Sequence, residues 1–380
     1  MPTAAYLMTA FAVLLVCGTH YYIARHLCAW LRQFLPGVPA FFTAVLWAVL
    51  TAVMVLGFLR SMLPVSDGIK RFLRVAGSYW MGIFVYLLLF FLLADLAVLL
   101  LNLVHPLPWN ARFLAASAAL LLTLCTVTYG FLHARVFVHV SYDIPLEQGP
   151  EDVLRLVLVS DLHLGAVGSE ERLESLVEEI NGLSPDAICI AGDLFDNDFD
   201  AIAHPEAAKA RLSRLSAPYG VYACWGNHDA GATLPRMEAF LRACGITLLQ
   251  EEVTAVGGKI QLAGRADGFL IGGADRPRGD WAQVAAQARE DLPLVVLDHN
   301  PASIREYGAE TALVLSGHTH KGQIFPAGLV TKQLFTVDHG LYRRDETGTQ
   351  VVVTSGAGTW GMPMRVGSDC EIVTLNLFRK

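Results

Sequence analysis

Five short apolar runs in the second half of the chain each end in a cluster of Asp, Asn or His. Residues 156–159 run into Ser160-Asp161-Leu162-His163, and residues 187–190 into Ala191-Gly192-Asp193. Residues 221–225 run into Gly226-Asn227-His228-Asp229, residues 294–297 into Asp298-His299-Asn300, and residues 313–315 into Ser316-Gly317-His318-Thr319-His320. Any one ending could be a turn or a helix cap, and two histidines two residues apart occur by chance. Five together imply a shared site. Carboxylate, amide and imidazole donors without thiolate make a mixed nitrogen/oxygen site, suited to Mn²⁺, Fe or Zn²⁺ and not to a Cys-rich structural zinc. The donors are too many for one ion. A pair of divalent ions about 3.5–4 Å apart accounts for them, and such a pair clamps the oxygens of an in-line displacement at phosphorus.

The framework that must present these residues reads as α/β. Residues 135–144 alternate apolar and polar side chains, as a half-buried strand does, and Glu147-Gln148-Gly149-Pro150 reads as a turn. Leu154–Val159, 187–190, 221–225, Leu294–Leu297 and 313–315 are expected strands. Ser169 is placed to cap a helix running through Asn181, and 206–215 is a second expected helix. At least one sheet is therefore covered by helices, and the carboxyl edge of such a sheet is where ligands bind. Gly192, Gly226 and Gly317 precede the polar residues and let backbone approach without a Cβ.

The first 150 residues are of a different kind. They carry 8 Lys and Arg against 4 Asp and Glu, whereas the remainder carries 20 against 31. The acidic second part argues against nucleic acid as a partner, because phosphate backbones are held mainly by Lys and Arg. Four apolar runs, at 4–23, 38–59, 75–104 and 113–132, are long enough to cross a hydrocarbon core of about 30 Å. The first has no Lys or Arg ahead of it and exceeds a usual signal-peptide core, so four retained helices are expected. The division is thus a transmembrane region over 1–134, a linker and leading strand over 135–152, and a catalytic domain over 153–380.

Orientation follows from the loop charges. Arg60, Lys70, Arg71, Arg74 and Arg135 lie on one side, and Arg25, Arg32 and Arg112 on the other. Five against three places both termini and the catalytic domain in the cytoplasm. The seven cysteines have no CxxC pair and fit free thiols in a reducing compartment. Asp95, a carboxylate inside a span, has no acid, His or Lys partner at helical spacing on its own run. It therefore reads as a pairing or helix-packing residue and not as part of a relay.

In order and spacing, Asp161-Leu-His163, Gly192-Asp193, Gly226-Asn227-His228-Asp229, His299 and Gly317-His318-Thr-His320 resemble the calcineurin-like metallophosphoesterase signature, over about residue 154 to the C-terminus. That resemblance implies a double β-sandwich flanked by helices and a dinuclear metal centre. It implies that Asp161, His163 and His320 hold a first metal, that Asn227, His299 and His318 hold a second, and that Asp193 bridges them. It further implies a metal-bridging hydroxide as nucleophile and no covalent enzyme intermediate. His228 matches the family's non-ligand histidine, placed to stabilise developing charge or protonate the leaving oxygen, with Asp229 orienting it.

Smaller features resemble the YkuE-like branch: Asp196 after the Gly-Asp motif, Gly322-Gln323 after the histidine pair, and Gly356-Ala-Gly358 leading to Pro363, Arg365 and Glu371-Ile372. That branch includes membrane-linked UDP-2,3-diacylglucosamine pyrophosphatases. Arg365 and Lys321 are candidate phosphate contacts, Arg365 the better suited for its planar fork. Lys321 departs from the Gly that many relatives carry there. Membrane tethering points to the lipid bilayer as partner and to a phosphate-containing lipid as substrate, in a bacterial inner membrane. Phe195, Phe199, Trp225, Trp360, Met362 and Met364 are candidate acyl-chain contacts. A soluble nucleotide or phosphoprotein substrate, or a receptor or transporter with a non-catalytic domain, are the competing readings.

Overall fold

The computed structural model describes the chain apart from residues 1, 38, 60–62, 168–171, 271–276 and 345–346. Arg60, counted above for orientation, and Ser169, the expected cap, lie outside the described residues. The chain divides into two compact units, Met1–Gly130 and Phe131–Lys380.

The first unit is built from helices α1 (Pro2–Leu31), α2 (Ala40–Phe58), α3 (Asp67–Val104) and α4 (Ala111–His133). Among the described residues, three segments are long and apolar enough to cross a membrane: Phe41–Phe58, Asp67–Val104 and Ala111–His133. Large apolar side chains such as Phe41, Leu99, Leu103 and Leu124 stand exposed along them, which suits a lipid solvent and not water. Asp95 on α3 is not alone: Tyr22 Oη of α1 donates to it at 2.8 Å, and His26 Nε2 of α1 lies 3.1 Å away. The carboxylate therefore joins two helices, the packing role expected of it. Its partners come from another helix, where spacing along α3 could not reveal them.

The second unit contains two six-stranded sheets. Its strands are β1 (Phe137–Leu146), β2 (Leu154–Val159), β3 (Ala187–Ala191), β4 (Val221–Cys224), β5 (Ile246–Leu248), β6 (Glu252–Val256), β7 (Ile260–Gly264), β8 (Leu294–Leu297), β9 (Thr311–Ser316), β10 (Gly340–Arg343), β11 (Gln350–Val353) and β12 (Cys370–Arg379). One sheet runs β1-β12-β2-β3-β4-β5 and the other β10-β11-β9-β8-β7-β6. β2, β3 and β4 pair in parallel, as do β7, β8 and β9. Strands of this kind are covered on both faces, so they read as unbroken apolar runs.

The sheets pack face to face. One core joins Leu156, Leu158 and Cys189 of the first sheet to Val295, Leu297, Leu313 and Leu315 of the second. The outer face of the first sheet is covered by α5 (Leu173–Gly182), α6 (Pro205–Leu212) and α7 (Leu234–Ala243), through Leu176, Ile180, Leu212 and Phe240. The second is covered by α8 (Trp281–Ala285) and by Ile304 and Tyr307. Burial of this many aliphatic side chains, at about 25 cal/mol per Å² of apolar surface, is what holds the site-bearing strand ends in place. α6 stops at Leu212, short of the expected residue 215.

Candidate metal centre

All five strand-end clusters meet at one edge of the two sheets. β2, β3 and β4 deliver Asp161, His163, Asp193 and Asn227, and β8 and β9 deliver His299, His318 and His320. At each junction the chain leaves the strand abruptly. Asp161, His163, Asp193, His318 and His320 have φ of 55°, 48°, 51°, 71° and 49°. This left-handed region is uncommon for residues other than Gly, and Asp, Asn and His are among those that tolerate it best. Such conformations persist only where surrounding structure enforces them, and they concentrate at functional sites. The glycines make room for the turns. A Cβ on Gly226 would collide with Asp193 Oδ1, and one on Gly317 with Ser160 Oγ and Asp161 Oδ2.

The donor atoms crowd into two overlapping sets. In the first, His163 Nε2 faces His320 Nε2 at 3.1 Å, and His320 Nε2 lies 3.3 Å from Asp161 Oδ1. In the second, His318 Nδ1 lies 2.8 Å from Asn227 Oδ1 and 3.2 Å from His299 Nε2, which is itself 3.1 Å from Asn227 Oδ1. Asp193 stands between the sets. Its Oδ2 is 3.7 Å from His163 Nε2 and 3.1 Å from His299 Nε2, while its Oδ1 accepts the His228 N–H at 2.8 Å. Asp161, His163, Asp193, Asn227, His299 and His320 are all buried.

This packing fits cations. Burial pushes His163 down to about 4 and His318 down to about 3, so both imidazoles are neutral at pH 7. Burial works against ionising Asp193, yet His299, His163 and His228 drive its pKa far below the usual carboxylate range. Neutral imidazole and ionised carboxylate are the forms that bind metal. Burial would also lower His299, but Asp193 and Asp161 raise it well above its ordinary value. The field at that point is strongly negative and calls for positive charge. His299 Nδ1 lies 2.8 Å from the Ala191 carbonyl; a proton held there leaves Nε2 turned inward with a free lone pair, the usual support for a ligating histidine.

His228 is buried beside this cluster, with its ring 5.0 Å from that of His163. The carboxylate at its Nδ1 belongs to Asp196, 3.7 Å away. Asp229, expected to orient His228, instead accepts N–H bonds from Leu194, Phe195 and Gly226 at 3.3, 2.8 and 2.8 Å. It ties together the loops after β3 and β4. Arg365 also departs from expectation. It is fully buried and donates to the carbonyls of His320, Ser355, Gly356 and Gly358 at 2.6–3.2 Å. A guanidinium so enclosed supports the His320 loop and does not reach a substrate phosphate. Lys321 is half-buried, immediately after His320.

Two acids were not singled out as site residues in the sequence. Asp196, noted there only as a subgroup feature, lies 3.7 Å from His228 Nδ1, beyond hydrogen-bond reach, and has a carboxylate oxygen clustered with donor atoms of His163 and His228. Asp267 is buried, with a carboxylate oxygen in the same small cluster as donor atoms of His299 and His318. It follows β7 closely and so obeys the same strand-end rule. Of the six apolar candidates, Phe195, Phe199, Trp225 and Met364 are core residues, whereas Trp360 is 44% exposed and Met362 half-buried.

Two sets of oxygen and nitrogen donors, buried except for the half-buried His318, at the carboxyl edge of a pair of packed sheets, define a dinuclear metallohydrolase site. Residues 154–322 match the family model described as calcineurin-like phosphoesterase, and the chain belongs to that family of metal-dependent phosphoesterases. It is 31% identical over 236 residues to the uncharacterized metallophosphoesterase YkuE of Bacillus subtilis, a match covering 60% of this chain and 79% of that one. It is 34% identical over 233 residues to an uncharacterized metallophosphoesterase of Helicobacter pylori, covering 60% of each chain. It is also 30% identical over 285 residues to a transmembrane protein with metallophosphoesterase domain of Danio rerio, covering 70% of this chain and 64% of that one.

Proposed function

We propose that this protein hydrolyses a phosphodiester or pyrophosphate bond in a lipid-linked substrate, of which UDP-2,3-diacylglucosamine is the leading example. The observation that carries the lipid reading is an apolar rim beside the metal centre. Helix α9 (Ala327–Leu334) follows His320 within seven residues and has no buried side chain. Phe325, Leu329, Val330 and Leu334 are 52–72% exposed. Phe335 lies against His318 with ring centroids 5.9 Å apart, and the exposed Trp360 against His228 at 5.7 Å. Acyl chains gain about 0.8 kcal/mol per CH₂ from such cover.

Asp161, His163 and His320 would hold one divalent ion and Asn227, His299 and His318 the other, with Asp193 shared. Mn²⁺ is the ion taken here, with Fe or Zn²⁺ also compatible with a mixed imidazole and carboxylate set. Two bound cations would supply charge neutralisation for the phosphoryl oxygens and acidify water. His228 donates a proton to the leaving oxygen, and Asp196 steadies its ring from the Nδ1 side. Lys321, at the rim, faces the substrate's phosphates. The reading takes α1 as a fourth span beside the three segments named above, in a bacterial inner membrane, with both termini on the cytoplasmic side that the loop Lys and Arg favour.

The test is hydrolysis by detergent-purified full-length protein with Mn²⁺, comparing UDP-2,3-diacylglucosamine with an aryl phosphodiester. Leu329→Asp with Leu334→Asp is expected to lower cleavage of the lipid at least about 10-fold, because the acyl chains then meet carboxylates in place of an apolar surface, and to spare the aryl diester. Equal impairment on both substrates, or none on either, contradicts the lipid reading.

A further inference from the structure

The first unit holds a cavity of about 360 Å³ between α1, α3 and α4. Its lining is unlike a lipid-facing groove. Arg25 of α1 and Arg112 of α4 both reach it, with Trp30, Trp109, Phe91 and Asp95. The walls are fixed by contacts between the three helices. Tyr22 and His26 meet Asp95, the His26 ring stacks on Phe91 at 4.9 Å, and Trp30 Nε1 donates to Ser117 Oγ at 2.8 Å. Asp95 is thus already held from α1. Neither Arg25 nor Arg112 has an ion pair among the described residues, so the lining sets two arginines, both exposed, against one carboxylate already engaged by α1, a net positive balance.

Its level in the membrane can be read from the helices. α3 has 38 residues and is about 57 Å long, well beyond a hydrocarbon core of about 30 Å. The cavity lies toward its C-terminal end and the start of α4, flanked by two tryptophans, one of them, Trp109, 91% exposed. Tryptophan at the end of a span marks the headgroup layer. A planar cation there pairs bidentately with a phosphate diester. The apolar wall of Phe91, Ala94 and Val98 offers the adjoining surface to an acyl chain.

We propose that this cavity is a binding site for an anionic glycerophospholipid, its phosphate held by Arg25 and Arg112 and its first acyl segment laid against α3. The site is separate from the metal centre and does not depend on the substrate assigned above.

The experiment measures thermal stabilisation of the detergent-solubilised full-length protein, titrated with phosphatidylglycerol, phosphatidylcholine or glycerol 3-phosphate, and counts phospholipids retained in native mass spectrometry. Phosphatidylglycerol is expected to stabilise the wild type and to remain bound, whereas phosphatidylcholine is expected to do so weakly. Arg25→Gln with Arg112→Gln is expected to weaken the phosphatidylglycerol response by about 10-fold or more. Arg32→Gln, a nearby exposed arginine outside the cavity, is expected to leave it unchanged. Hydrolysis of the aryl phosphodiester by each variant reports that the protein is folded. An equal response to glycerol 3-phosphate would refute a lipid source. Equal retention of phosphatidylglycerol by the double variant, or an equal weakening in Arg32→Gln, would overturn the site.

Discussion

His228 Nδ1 stands 3.7 Å from Asp196 Oδ1, while Asp229, its neighbour in sequence, is turned to the amides of Leu194, Phe195 and Gly226. The two acids therefore have separable duties. His228→Gln is expected to lower kcat by about 10²–10⁴-fold, the usual contribution of a positioned proton donor, with metal content unchanged. Asp196→Asn is expected to cost about 10-fold, as an outer partner does. The pattern is checked by steady-state kinetics beside metal analysis, and loss of metal from His228→Gln would contradict it.

Arg365 supports the His320 loop from beneath. Removing its side chain leaves the carbonyls of Ser355, Gly358 and His320 buried without their donor; one such group costs about 1–3 kcal/mol, and losses within one network do not add in full. Arg365→Ala is expected to destabilise the protein by about 2–4 kcal/mol and to weaken metal binding more than substrate KM. Thermal denaturation with and without Mn²⁺ reads the first effect, and a KM-against-kcat comparison the second. A rise in KM alone would return Arg365 to the phosphate-contact role.

Glu371, which is not among the metal-ligand candidates, gives a separate pH dependence. Burial raises its pKa, but His339 Nε2 at 2.6 Å, together with Ser355 and Thr354, lowers it below the usual glutamate range overall. A carboxyl depressed in the folded state adds stability above its unfolded pKa of about 4.3, and that stability is lost as pH falls through the lower folded value. Melting temperature should therefore decline below about pH 4.5. Glu371→Gln is expected to cost about 1 kcal/mol at pH 7, roughly 2–4 °C, and to flatten the acid limb. An unchanged limb in the variant would show that other groups carry it.

The metal-site residues were legible because each follows a strand whose both faces are buried. An unbroken apolar run ending in Asp, Asn or His is a local signal. What escaped was non-local. β12 enters between β1 and β2 from more than 200 residues away, a register that no periodicity encodes. Arg365 looked like a phosphate fork because sequence does not show that a guanidinium will be fully enclosed. Asp95 looked solitary because Tyr22 and His26 approach from α1. The rim on α9 carries no local signal, being eight residues with a Lys and a Gln among them, and only the contact of the following Phe335 with His318 gives it meaning.

The most direct test of the central claim is metal stoichiometry in the purified full-length protein, set beside hydrolysis of an aryl phosphodiester. The wild type is expected to bind two divalent ions and to lose activity with chelation, and Asp193→Asn, which removes the oxygen lying between both donor sets, is expected to lose at least one ion and nearly all turnover. Full activity in chelator, or an Asp193→Asn protein that keeps two ions and its turnover, would contradict a dinuclear centre built on these residues.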